Sequence, residues 1–260
     1  MYDIHCHILP ELDDGPDNLA DSLEMARIAA ADGFQCVIAT PHEARVVAAG
    51  GKESLERRVQ AYRVALASHQ IPLEMAMGVE YLLTMDLVQQ AKQRDAITLN
   101  GSRYLLVEID FFQYPSFCDE ALFQIQMAGY VPILAHPERQ DNIQEKPELL
   151  EGLVRRGVLS EVTAGSVLGS FGSQAQRSAQ RLLADGLVHF IASDAHSRRG
   201  PRTPVMAEAR DAVARLVGEE AAHAMAVLNP RAVLDDAPVV TPPINATQRR
   251  RFPWLGRSRP

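Results

Sequence analysis

Short apolar, β-rich runs alternate with helical patterns along nearly the whole chain, and that alternation restricts the fold more than any other feature. The runs fall at 2–5, 35–39, 73–79, 104–109, 131–135, 159–162 and 189–192. Helical periodicity fills the gaps at 19–31, 54–68, 85–94, 117–128, 147–156 and 173–185, with two more helices expected at 203–216 and 219–228. Gly33, Gly129, Gly157 and Gly186 follow these patterns as helix C-caps should. Seven strands in alternation with helices predict an α/β fold with a parallel sheet and right-handed crossovers.

Side chains able to bind metal choose between an open sheet and a closed barrel. They stand in or just beyond the C-terminal ends of six different runs, in Asp3-Ile4-His5-Cys6-His7, Thr40-Pro41-His42, Gly78-Val79-Glu80, Glu108, Ala135-His136-Pro137 and Ser193-Asp194-Ala195-His196. In a strand, residues i and i+2 face one side, so His5 and His7 can hold one ion together. Only a barrel brings so many strand ends to one mouth. A distorted seven-stranded barrel is therefore the expected fold. Imidazole and carboxylate without thiolate suit a divalent metal such as manganese, iron or zinc. So many ligands suggest several ions, the arrangement that phosphoryl hydrolysis uses.

Each motif also has a plainer explanation. A His-x-His pair can be accidental. Glu80 and Glu108 end apolar strands, where an unpaired carboxylate costs several kcal/mol, and an arginine would relieve that as well as a metal. Asp13 and Asp14 before Gly15 can simply make a turn. Asp3 is either an ordinary strand-end residue or a carboxylate orienting a ligand histidine. Arg139 can pair with Glu138 or Asp141. His69, His189 and His223 read as structural. The Cys-x5-Arg loop of a thiol phosphatase is missing around Cys6, Cys36 and Cys118, as are the P-loop and Gly-x-Ser-x-Gly elements.

Bulk properties bound the function. The composition, 47% hydrophobic and 23% charged, is that of an ordinary globular protein. No apolar stretch nears the ~20 residues that span a bilayer, and the N-terminus lacks the pattern of a signal peptide. Three cysteines cannot make a disulfide framework, so a cytoplasmic setting is expected. The net charge is −7, yet residues 241–260 hold five arginines and no acid, which leaves −12 on residues 1–240. So acidic a body excludes nucleic acid as the expected partner. Residues 1–237 read as one domain and 238–260 as a flexible basic tail, with peripheral membrane contact as the alternative role for that tail.

Taken in order, His5-Cys6-His7-Ile8-Leu9-Pro10, Asp13-Asp14-Gly15, Ala39-Thr40-Pro41-His42, Gly78-Val79-Glu80-Tyr81, Ala135-His136-Pro137-Glu138-Arg139 and Ser193-Asp194-Ala195-His196 resemble the polymerase-and-histidinol-phosphatase superfamily. More narrowly, they resemble its bacterial tyrosine phosphatases encoded with capsule and exopolysaccharide genes. The likeness extends to Asn229-Pro230-Arg231-Ala232-Val233-Leu234. It implies three divalent ions, most readily manganese. His5, His7, Glu80 and Asp194 would hold the first; Glu80, Glu108 and His136 the second; Asp14, His42 and His196 the third.

The implied activity is that of a protein-tyrosine-phosphatase. Metals would activate the attacking water while Arg139 and Arg202 hold the phosphoryl oxygens. Arg198 and Arg199 compete with Arg202 for that role, and Asp194 or a water would donate the proton. The implied substrate is the tyrosine-rich tail of a bacterial polysaccharide-export kinase, with loops at 43–52 and 111–117 shaping its path. A small-ester phosphatase such as histidinol-phosphate phosphatase shares most of these ligands. Carboxylates at Asp14 and Glu108, where many relatives carry histidine, argue against it. A non-catalytic metal-stabilised scaffold is the remaining alternative, although no ligand is missing.

Overall fold

A computed structural model describes residues 1–240; the basic segment 241–260, expected to be a flexible tail, lies outside the described residues. Among the described residues, eight short strands form two all-parallel sheets. The first holds β1 (Tyr2–Cys6), β2 (Cys36–Ala39) and β3 (Glu74–Met77) in that order. The second holds β4 (Glu80–Leu82), β5 (Tyr104–Glu108), β6 (Val131–Leu134), β7 (Leu159–Thr163) and β8 (Phe190–Ala192), also in chain order. Helices fill the connections, as parallel pairing requires.

Two clusters form the core of the described residues. One face of the strands packs on the helices: Val37, Leu105, Leu134 and Ile191 meet Leu23, Leu55, Leu122 and Leu182. The other faces of both sheets meet each other through Ile38, Leu106, Ile133 and Phe190. Both faces are thus dry, which explains why the strands read as apolar runs rather than as alternating patterns.

The third expected strand is where the structure departs from a single seven-stranded sheet. The run 73–79 stops at Met77, and Glu80 opens a separate strand beside β5, with Glu80 opposite Leu106. Gly78 marks the break. A Cβ there would lie 2.6 Å from Leu99 and 3.0 Å from Ile38, so only glycine lets the chain bend against them. Hydrogen bonds cross both seams between the sheets. Glu80 N donates to Pro41 O on one side; Asp194 N donates to His5 O and His7 N to Ala195 O on the other.

The helices follow expectation with shifted ends: Leu19–Ala31 is as read, whereas the helix expected from 203 begins at Ala207. Segment 43–52 is not a loop; Glu43–Ala48 and Gly51–Ser68 are helices. Residues 238–240, assigned to the tail, hydrogen-bond to the body: Val239 N to Tyr104 Oη, and Val240 to the Asn229 side chain through its N and its O.

Candidate metal centre

Each motif residue reaches the same place by a different strand end. A register shift in β1 between Asp3 and Cys6 turns the chain, so that Ile4 joins the inner cluster and Cys6 the helix-facing one. His5 and His7 then point together, their Nε2 atoms 3.2 Å apart. Both meet Glu80, His5 Nε2 at 3.3 Å from Oε1 and His7 Nε2 at 3.3 Å from Oε2. His42 Nδ1 is 3.0 Å from Glu80 Oε2 and His136 Nε2 is 3.1 Å from Oε1, which puts Glu80 at the centre. Glu108 stands 3.9 Å from both His42 and His136. Asp14 Oδ1 lies 3.4 Å from His42 and 3.2 Å from His196. His136 (φ 35°) and Asp194 (φ 48°) are both left-handed without being glycine, a strain of about 1–3 kcal/mol that tends to gather at working sites.

All nine sequence-predicted ligands come together. The ring nitrogens and carboxylate oxygens of seven of them form three overlapping groups, each within 4.8 Å: His5, His7 and Glu80; His42, Glu80 and Glu108; and His7, Asp14, His42 and His196. His136 adjoins these groups through Glu80, at 3.1 Å, and Asp194 through His5, at 3.5 Å. The sharing differs from the three sets that the resemblance implies: His7 also joins the third and His42 the second, while Asp194 and His136 fall outside the three groups. His5, His7 and Glu80 are buried, while Asp14 is 54% and His42 33% exposed, so the cluster opens on the Asp14–His42 side.

The donor set fits divalent ions, and the tautomers are prepared for them. Glu161 Oε2 lies 3.0 Å from His5 Nδ1, Asp13 Oδ2 lies 2.7 Å from His7 Nδ1, and the Asp194 carbonyl lies 2.9 Å from His196 Nδ1. Each acceptor draws the proton to Nδ1 and leaves Nε2 to face the cluster. Burial pushes the Glu80 carboxyl up, but the charge on His5 and the bonds to His136 and His42 outweigh it and hold that group well below the usual range. Burial and the charge of Glu80 raise Glu108 instead. A group of carboxylates that cannot all ionise comfortably is what a cation would relieve.

Sequence reasoning missed Glu161 and gave Asp13 only the turn. Asp13 makes that turn, through Gly15 N, and also holds His7. Asp3 does not orient a histidine ring. It accepts from Ser193 N and Oγ and from His5 N, joining β1 to the segment after β8. A glutamate inside a five-residue buried strand was the available signal for Glu161.

The arginines are also placed. Arg139 Nη1 donates to Asp194 Oδ2 at 2.7 Å and pairs with neither Glu138 nor Asp141. Glu138 is buried and accepts from Thr163 N. Arg202 Nη2 lies 3.1 Å from Asp194 Oδ1, and Nη1 lies 3.5 Å from Asp14. Arg198 turns away to Asp21, and exposed Arg199 donates only its main-chain N–H, to Ser197. The cysteines are buried, and burial pushes the Cys36 thiol to about 12 and Cys118 to about 11. Cys6 is also pushed well above its ordinary value, by burial and then the charge of Asp3, so none offers a thiolate near neutrality.

Parallel strands that deliver histidines and carboxylates to a common centre define a metal-site protein of α/β type. Residues 1–235 match the family described as capsular polysaccharide synthesis, CpsB/CapC, and the chain belongs to that family. It is 39% identical over 197 residues to the tyrosine-protein phosphatase YwqE of Bacillus subtilis, covering 76% of this chain and 78% of the relative. It is 26% identical to the tyrosine-protein phosphatase CpsB of Streptococcus agalactiae serotype III over 90% of this chain and 98% of that one. A crystal structure from work on YwqE of Bacillus subtilis and CpsB of Streptococcus pneumoniae, described as unique metal-dependent tyrosine phosphatases, superposes with a TM-score of 0.86. It shares 32% identity and covers 94% of this chain and 98% of its own.

Proposed function

We propose that this chain is a metal-dependent protein-tyrosine-phosphatase that hydrolyses phosphotyrosine on a bacterial polysaccharide-export kinase. The observation that carries the reading is the pair Arg139 and Arg202, both gripping Asp194 at the edge of a buried histidine–carboxylate cluster. An anion-binding fork beside a cation-binding set is what a phosphate ester needs. The relatives named above, all tyrosine phosphatases, support the same substrate class. The two sheets, bonded across both seams, act in this reading as one distorted seven-stranded barrel, with β3 and β4 counted as a single bent strand.

His5, His7, Glu80 and Asp194, then Glu80, Glu108 and His136, then Asp14, His42 and His196 would hold three ions, manganese by preference, with iron or zinc as substitutes. Bound there, such ions would supply Lewis-acid activation of the attacking water and charge neutralisation. The chain's own side chains do the rest. Arg139 commits one N–H to Asp194, and its remaining donors meet the phosphoryl oxygens as negative charge builds on them. Arg202 does the same from the Asp14 side. Asp194 thereby anchors both guanidiniums. The leaving phenol, with pKa near ~10, needs less proton help than an alkoxide. A cleft of about 500 Å³ beside the cluster, lined by His42, Arg45, Leu82, Asp86 and Glu108, receives the extended polypeptide. The enzyme works in the cytoplasm on residues 1–237; among the described residues no helix is long and apolar enough to cross a membrane. The arginine-rich segment beyond contacts the membrane surface or keeps the protein dispersed.

Steady-state kinetics on a phosphotyrosine peptide, beside a panel of small phosphomonoesters and with metal content measured on the same samples, tests the reading. His136→Ala should lose metal and turnover together. Arg139→Ala should keep its metal and lose about 10²–10³ in kcat. Preference for histidinol phosphate over the peptide, or near-normal kcat in metal-loaded Arg139→Ala, would remove the respective part of the proposal.

A further inference from the structure

Two phenylalanines outside every recognised motif touch the catalytic arginine. The Arg139 guanidinium carbon lies 4.6 Å from the ring centroid of Phe111 and 4.6 Å from that of Phe171. Phe111 follows β5 and Phe171 follows β7, so three elements meet on this one cation once Asp194, after β8, is included. Arg139 is 19% exposed, and a long side chain so near solvent has rotamers to lose. Rings packed against a guanidinium attract it through their quadrupoles and keep water from it.

We infer that Phe111 and Phe171 are positioning residues, an aromatic clamp that aims the Arg139 guanidinium before substrate arrives; this rests on the reading of Arg139 as a phosphoryl-oxygen donor. Each ring is itself held. The Phe111 ring lies 5.1 Å from that of His136, and Phe111 O accepts from Asp141 N. Phe171 depends on a missing side chain: a Cβ at Gly165 would stand 2.7 Å from its Cε2 and 3.2 Å from Pro201 O. Gly165 therefore needs no unusual backbone angle; it is glycine because Phe171 occupies the space. Ordering the guanidinium in advance lowers the cost of reaching the transition state rather than of binding the ground state. The clamp should act mainly on kcat.

The test uses full-length, metal-loaded enzyme with Phe111→Leu and Phe171→Leu, each singly and combined with Arg139→Ala. Phosphotyrosine-peptide kinetics, metal content and the Kd for inorganic phosphate are read on every sample. Each leucine variant should lose about tenfold in kcat with KM and metal content near wild type, while its phosphate Kd should rise by the smaller factor of about two- to threefold. Phe111→Tyr and Phe171→Tyr, which keep the ring, should restore both values. In the Arg139→Ala background the leucines should add almost nothing, because the cation they hold is gone. Gly165→Ala should copy the Phe171→Leu kinetics, and Gly165→Ala with Phe171→Leu should regain thermal stability without regaining kcat.

Unchanged kcat in the folded leucine variants, or losses that add fully to that of Arg139→Ala, overturn the clamp and leave the proposed activity standing. So does a rise in KM alone, which would make the rings a surface for the substrate's own phenyl group. A wild type that turns over no phosphotyrosine, yet binds phosphate with the same dependence on both rings, overturns the activity and leaves the clamp. No phosphate binding by the wild type overturns the clamp.

Discussion

Glu161 sits in the middle of a five-residue strand, fully buried, with one oxygen on His5 Nδ1 and the other without a partner. Its value lies in what it does to His5. A carboxylate there holds the proton on Nδ1 and keeps the Nε2 lone pair turned toward Glu80 and Asp194. Glu161→Leu should weaken divalent-metal affinity by roughly 10–100-fold, the usual cost of losing such a partner. Glu161→Gln, whose amide oxygen can still accept from Nδ1, should lose less. Competition against a chromophoric chelator on folded protein measures both, and equal affinities across wild type, Gln and Leu would dismiss the role. Residues such as His136 and Asp194 were legible because side chain and spacing both speak in the sequence. Glu161 was not, because its partner lies 156 positions away and nothing local marks the contact.

At the scale of elements, the strands and helices were legible wherever hydrophobic period and glycine caps agreed, as in Leu19–Ala31. They were not where a close approach overrides the period, as at Gly78, which ends β3 and starts a strand in another sheet. The loop Asp13-Asp14-Gly15 shows the same kind of constraint. A Cβ on Gly15 would lie 2.2 Å from the His7 carbonyl oxygen, a backbone atom that cannot easily yield. Gly15→Ala should therefore push the loop off β1, carrying Asp13 away from His7 and Asp14 away from His42 and His196. We expect a stability loss of about 1–3 kcal/mol, as for other overpacked sites, together with reduced metal content. Urea unfolding and elemental analysis check the two halves. A variant as stable and as metal-rich as wild type would mean that the loop slides without consequence, and Asp13 and Asp14 would lose their assigned places.

For the whole molecule, protonation and global unfolding meet at His189, a residue remote from the metal cluster in function. It is 2% exposed, and its Nδ1 accepts a hydrogen bond from Ser160 N at 3.2 Å, which requires that nitrogen to be unprotonated. Burial lowers its pKa to about 4 from the ordinary 6.5. Between those values the unfolded chain binds a proton that the folded chain refuses, so stability rises with pH there. The contribution is complete above pH 6.5 and fades as pH falls toward 4. The full swing is about 3 kcal/mol at ~1.4 kcal/mol per pH unit. His189→Asn offers an amide oxygen to Ser160 N and has no proton to gain. Its stability should be lower at neutral pH through lost packing, yet should fall less steeply between pH 6.5 and 4, by close to one proton's worth of slope. Urea unfolding of both proteins in the same chelator, at half-unit pH steps, isolates the difference, because the titration of Glu80, Asp194 and the cluster histidines is common to the two. Parallel curves would show that His189 either protonates in the folded state near its ordinary pKa or is reached by water, and the buried neutral ring would have to be given up.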